Sequence, residues 1–382
     1  MPRCCIPNAS PRRDRDAPLN IAEEVIDWLY TEQLHVGEQW SYRLPTGFTW
    51  WADQYAQTVE FVGEQTGPNG ETGYLVCVRT ELLRDVDLTP EALAEINALP
   101  MRCAAMAGPV YDVEARMLDL WSLVRLTDDN GGWMRYLLAA AAVTQIAEVR
   151  LLAPVLAKAI NARPATSEHP ESGPRNASSE MTAAAAVFVS AGDRPCAWPE
   201  AEFRDTVIEL IDRAPAIVAG VEGQGFTVEF PFGEQTSLCR VLGDQSHPLY
   251  GNGLLVLQRF PLDVPDSEGI GLALSLNAAD LTRQLTGYGL GSYSYADGAI
   301  HFSGFVPNAM HKPGLLPNLY SSCAARAQAM AARFVEGGWD PEAYTLDAEV
   351  LARRRQRREA AMPPVERPMG GCPMMRAKAG GN

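Results

Sequence analysis

Apolar and polar residues alternate most regularly between Leu290 and Phe334. Tyr293, Tyr295, Ile300 and Phe302 fall on every second position on either side of Asp297-Gly298, with Ser292, Ser294, His301 and Ser303 between them. Asp-Gly between two alternating runs predicts a two-residue type I′ hairpin, whose turn residues both need φ > 0. That turn fixes the register: Tyr295 faces Ile300, Tyr293 faces Phe302, Ser294 faces His301 and Ser292 faces Ser303. One face is aromatic and the other small and polar, so the ribbon is expected to bury one side and keep the serine side in water. The period then changes. Leu316, Leu319, Tyr320, Cys323, Ala327, Met330 and Phe334 recur at steps of three and four, the stripe of an amphipathic helix with Pro317 in its first turn. The aromatic side of the hairpin is expected to meet that helix.

The same alternation organises the rest of the chain. A helix capped by Asn20 presents Ile21, Val25, Trp28 and Leu29, and strands follow at 40–44, 48–52, 55–62 and 74–79. Thr89-Pro90 opens a short helix, residues 101–107 and 117–127 read as strands around Gly108-Pro109, and an Ala-rich helix runs from Trp133 with a break at Pro154. Residues 161–180 are rich in turn formers without apolar periodicity and read as a linker. The second half then repeats the order: a helix from Pro199, strands at 216–221, 226–232, 237–242 and 254–260, a short helix beginning after Asn277, the hairpin and the long helix. The repeat is one of element order. Gly63-Glu-Gln-Thr66 returns as Gly233-Glu-Gln-Thr236, but at a different place in the pattern, and reads as coincidence.

This order predicts an α+β protein of two tandem antiparallel sheet-plus-helix domains: a disordered tail at 1–19, a first domain at 20–160, the linker at 161–180, a second domain at 181–338, and a C-terminal helix and disordered tail at 339–382. Composition adds the charge. Net charge is −15, yet residues 1–20 and 340–382 each carry a net +2, so the body between them holds −19. Such a body repels phosphate backbones and anionic lipid, so no nucleic acid or membrane partner is expected for the folded part. The most apolar stretch, 137–156, contains Gln145, Glu148 and Arg150 and suits a buried helix. Eight scattered cysteines without a C-x-x-C pair, and an N-terminus without an apolar core segment, place the protein in the cytoplasm by expectation.

Gly289-Leu-Gly-Ser-Tyr293, Ile300-His-Phe-Ser-Gly-Phe-Val-Pro-Asn308 and the stretch from Asn318-Leu319 to Arg326 resemble the C-terminal part of actinobacterial tandem members of a known fold. That fold is shared by type III secretion (Tir-type) chaperones and YbjN proteins, grouped as TY-chaperone-like domains. By element order the resemblance extends over 20–337; the first half has no Phe-x-Pro-Asn at its corresponding strand. It implies a secretion-chaperone-like topology, peptide or protein partners and no catalytic motif. It also implies pairing of domains, since chaperones of this kind commonly form homodimers.

Chemistry is sparse. His301 beside Ser294 is the one arrangement that a carboxylate from elsewhere would turn into a triad, but no Gly-x-Ser-x-Gly elbow accompanies it. His301 and His311 are not spaced as metal ligands, and Gly287-x-Gly289-x-Gly291 enters a strand, where a dinucleotide loop opens a helix. No catalytic, cofactor-binding or metal residues are assigned. The arginines at 353–358 read as a solvated helix end, with a dock for an acidic partner or RNA as the alternative. Adjacent strand residues point to opposite faces, so one of Trp50 and Trp51 is directed away from the core, where it either anchors a partner or is covered by a neighbouring element. Tyr293, Phe305 and Asn308, within the motif stretches, join them as candidate partner contacts. The reading is a non-enzymatic chaperone or adaptor that binds an extended segment of a partner protein; the alternatives are a hydrolase using His301 and a scaffold subunit of a larger assembly. A linker of about 20 residues spans about 25 Å as a random coil. Tethering raises the effective concentration of the halves to the millimolar range, so a monomer with an internal pseudo-dimer is expected.

Overall fold

In the computed structural model, residues 20–67, 70–102, 106–176, 196–214, 216–262, 264–282 and 289–337 are described. The tails at 1–19 and 338–382, with the arginines at 353–358, and the stretch 177–195 lie outside them. The first half contains α1 (Ile21–Trp28), β1 (Ser41–Leu44), β2 (Gly47–Trp51), β3 (Ala56–Thr66), β4 (Thr72–Arg84), α2 (Pro90–Arg102), β5 (Gly108–Asp112), β6 (Met117–Leu126), α3 (Gly131–Ala159) and the short β7 (Arg163–Pro164). The second contains α4 (Glu200–Leu210), β8 (Val218–Val221), β9 (Gly225–Phe232), β10 (Gln235–His247), β11 (Gly251–Phe260), α5 (Asp266–Thr282), β12 (Ser292–Ala296), β13 (Ala299–Pro307) and α6 (Leu315–Ala331).

The protein is α+β, with two antiparallel sheets in tandem, each accompanied by helices. Their strand orders are β1-β2-β3-β4-β6-β5 and β8-β9-β10-β11-β13-β12, with β7 added beside the end of β4. Element by element, these are the same topology. The two Gly-Glu-Gln-Thr runs fall at opposite ends of equivalent strands, 63–66 closing β3 and 233–236 opening β10.

The hairpin β12–β13 has the register read from its turn: Tyr295 opposite Ile300, Ser294 opposite His301, Tyr293 opposite Phe302 and Ser292 opposite Ser303. Asp297 and Gly298 have φ of 50° and 70°, as a type I′ turn requires. The helix stripe from Leu316 to Phe334 is buried throughout, and Met330 and Phe334 share a core with Tyr293, Ile300 and Phe302. The serine face differs from expectation. Ser292 and Ser294 are as buried as the aromatic side, where α2 and β5 of the first half reach β12. A short hairpin carries no local sign that a second body covers it.

Three boundaries also differ. Residues 101–107 are not a strand: α2 runs on to Arg102, and β5 starts at Gly108 with Pro109 in an outermost strand, the place where a missing N–H is tolerated. Pro154 does not break α3, which continues to Ala159. Asn277 does not open a helix but lies inside α5.

Residues 161–176, within the stretch expected as a linker, form a strap along the first sheet. β7 pairs with Leu83 and Arg84, Thr166 bridges Tyr55, and His169 bridges Gly173. α3 is long and apolar enough to cross a membrane by length and composition, and 61% of its most apolar window is buried inside the protein. It covers one face of the first sheet above a polar chain. Trp50 Nε1–H donates to Gln57 (3.0 Å), Gln57 to Thr80 (2.8 Å), Thr80 to Gln145 (2.7 Å), and Gln145 to Ser122 (2.8 Å). Each of these five side chains thus finds a partner in the others, which fixes α3 over the strands in one position.

The halves do not keep separate cores. The largest apolar cluster joins Leu137, Leu138 and Ala141 of α3 to Phe203, Tyr250, Leu316 and Tyr320, and Leu274 of α5 joins the cluster of Leu118, Leu120 and Val149. Tyr250 O–H also donates to Glu148 (3.1 Å) in the interior of α3.

Candidate partner-binding surface

An antiparallel sheet offers a partner its unpaired edges, and among the described residues the main strand orders end at β1 and β5 on the first sheet and at β12 and β8 on the second. The two inner edges are closed. α5 packs on both β5 and β12, and α2 packs on β12 and on α5. On β12, Tyr293 and Tyr295 are two residues apart and direct N–H and C=O to the same open side. Asn277 donates to the Tyr293 carbonyl (3.0 Å) and accepts from its N–H (2.7 Å). Asn97, from the other half, makes the same pair of bonds to Tyr295, both at 2.8 Å. Two carboxamides stand in for a neighbouring strand.

The outer edges are different. Among the described residues no strand pairs with the far side of β1 or β8. Beside β1 lies a cleft of about 130 Å³, lined by Ile26, Leu44 and Phe61 together with Glu23, Asp27 and Arg43. Arg43 is occupied there, 2.9 Å from Asp27 and 3.6 Å from the centre of the Tyr30 ring. β8 is short and apolar, with Ile217 just before it 58% exposed and Val218 53% exposed.

The five residues expected to contact a partner are all buried, from 1% exposure for Tyr293 to 5% for Trp51. Trp50 and Trp51 do point to opposite faces, but both are covered. Trp51 lies under the strap: its Nε1–H donates to Ser167 (3.0 Å), its ring meets His169 at 5.2 Å, and its carbonyl accepts from Arg175. Phe305 packs against His247 at 4.7 Å, and Asn308 sits in the turn after β13. Their surfaces are taken up by the fold itself, so none of the five lies on an open surface.

Tyr293 belongs to a buried charged cluster that the sequence did not reveal. Its O–H donates to Asp280 (2.5 Å), whose carboxylate lies 3.6 Å from Arg326, and the Arg326 guanidinium stacks 3.8 Å from the centre of Phe302. Burial raises the Asp280 carboxyl above its ordinary value, with Arg326 opposing the shift. Burial, and then the charge of Asp280, raise the Tyr293 phenol well above its own. The residues come from α5, β12, β13 and α6, so the cluster ties the second core together.

His301 is half-buried and hydrogen-bonded to the carbonyl of Ala296 within its own hairpin (3.2 Å). Burial lowers its pKa, the hydrogen bond opposing. Ser294 lies opposite in register, and its hydroxyl has no hydrogen-bond partner among the described residues. His311 pairs with Glu202 (3.0 Å), and the described residues contain no group of three His, Cys, Asp or Glu able to hold a metal. Comparison with protein-family models, curated proteins and solved structures returns no match to the chain.

Proposed function

We propose that the protein is a non-enzymatic chaperone or adaptor that takes an extended segment of a partner protein as an added strand on the outer edge β8. The observation that carries this reading is the contrast between edges: β12 is capped by carboxamides, while β8 presents an open strand with exposed Ile217 and Val218. Unblocked apolar edges are costly in solution, and proteins usually protect them with charge, proline or a covering element. Sealing the inner edges while leaving β8, an apolar outer edge, without a strand beside it fits a surface kept for a partner. Main-chain hydrogen bonds would supply affinity there and flanking side chains specificity. The resemblance to tandem YbjN and secretion-chaperone domains, which bind proteins and lack catalytic motifs, agrees with this reading, as does an acidic body that stays soluble while offering an apolar strand.

The test uses a permanently unfolded probe, reduced and carboxymethylated α-lactalbumin. The full chain is expected to bind it and suppress its aggregation. Ile217→Lys with Val218→Lys places charge on the edge and is expected to abolish both effects without lowering the thermal midpoint. Binding that is unchanged by this double substitution would move the site away from β8.

A further inference from the structure

We propose that Glu81 and Asp119, facing each other across two strands, form a carboxyl pair that acts as a pH-sensitive switch, setting how firmly β5 and β6 hold to the rest of the first sheet. Glu81 of β4 stands directly opposite Asp119 of β6, so both side chains lie on one face of the sheet, with Cβ atoms about 4.5–5.5 Å apart. Asp119 is only 6% exposed, and its Oδ1 has no hydrogen-bond partner among the described residues. A buried carboxylate left this way is costly, and a second carboxyl facing it adds like-charge repulsion.

The surrounding charges do not cancel the pair. Arg79 and Glu81 of β4 and Asp112 of β5 act on Asp119, together with the Trp121 side chain; Arg79 and Arg84 act on Glu81. α3 and α5 also pack on β6, and the largest charge effects on Asp119 come from the strands, first Arg79 and then Glu81. Burial pushes Asp119 up to about 7 and raises Glu81 as well. Asp119 therefore holds a proton that leaves near neutrality, and the facing Glu81 adds to its hold on it. Glu81 is followed by a register irregularity, where the β4–β6 ladder is already interrupted. On its other side Asp119 pairs with Val110 of β5, the strand that α5 of the second half packs against. Ionisation of the pair thus acts close to the joint between the halves.

Hydrogen exchange of the full chain, corrected for the intrinsic pH dependence of exchange, tests this at about pH 6 and about pH 8. Between these two pH values, protection of β5 and β6 amides is expected to fall by about tenfold relative to β9 and β10, the linkage effect of one group that titrates near 7 in the closed state and well below that in the open state. Asp119→Asn is expected to remove the difference, and Glu81→Gln, at a half-exposed position, to reduce it. Equal relative protection at both pH values in the unaltered protein would overturn the proposal. So would a difference that persists in Asp119→Asn or, should that variant not fold, in full in Glu81→Gln.

Discussion

Asn97 and Tyr295 are 198 residues apart in sequence, yet one carboxamide satisfies both the N–H and the C=O of the tyrosine. A carboxamide is suited to this because it carries a donor and an acceptor side by side, as a strand's own peptide group does. The contact joins α2 of one half to β12 of the other, beside the place where Asn277 does the same from α5. The edge that a partner or a second copy would otherwise extend is thereby closed.

Replacing Asn97 with Leu keeps a side chain of similar size and removes both bonds. It leaves the N–H and C=O of Tyr295 without partners at a largely buried edge, which costs about 1–3 kcal/mol. Denaturant unfolding should show that loss, and exchange of the Tyr295 amide should accelerate. Unchanged stability would mean that water replaces the carboxamide without penalty and that the edge is not sealed by it.

The same asparagines show how far the sequence could be read. The hairpin register was legible because Asp297-Gly298 dictates a local turn geometry, and every cross-strand pair follows from it. Asn277 was not legible. Before an apolar run it reads as a helix cap, whereas its amide serves a strand that approaches it only in the folded chain. Trp51 and the serines at 292 and 294 belong to the same class. Their alternation gives the face they occupy, but the strap over Trp51 attaches through a few bridges and single side chains that leave no periodic trace. The charged cluster of Asp280, Tyr293 and Arg326 escaped for the same reason, since Arg326 sits in a helix among the apolar stripe residues Cys323, Ala327 and Met330.

Arg326 gives the second prediction. Arg326→Met removes one member of a buried ion pair and leaves Asp280 without its countercharge, a change that costs about 3–5 kcal/mol. Adding Asp280→Asn is expected to recover part of the loss, because no carboxylate then remains uncompensated. A double variant as unstable as the sum of the two single ones would show that Arg326 acts mainly through its stacking on Phe302.

Asp119 gives stability a defined pH dependence. Its pKa rises from an ordinary 3.8 to about 7 in the folded protein, so the folded state holds this proton more tightly than the unfolded state. The resulting stabilisation is fully present below about pH 4, is lost as the pH rises through about 7, and is constant above that. Asp119→Asn removes the cost of ionisation, and at about pH 8 it is expected to stabilise the protein by on the order of 2–4 kcal/mol relative to the unaltered chain. At about pH 5, where Asp119 is already protonated, most of that gain should vanish. A gain of equal size at both pH values would point to better packing of the amide instead.

The last prediction concerns assembly. The inner edges of the two halves are covered by helices, and one apolar core runs across both halves, so the chain buries between its own halves surface that a separate domain would expose. Sedimentation at micromolar concentration is therefore expected to return a single species near 41.6 kDa. A stable mass of twice that value would require a further surface, and the open edge β8 is the first candidate, because two such strands can pair across a twofold axis. The double substitution Ile217→Lys and Val218→Lys separates the cases: it should return such a dimer to monomer, and it should leave a monomeric chain unchanged in mass while removing its hold on an unfolded polypeptide.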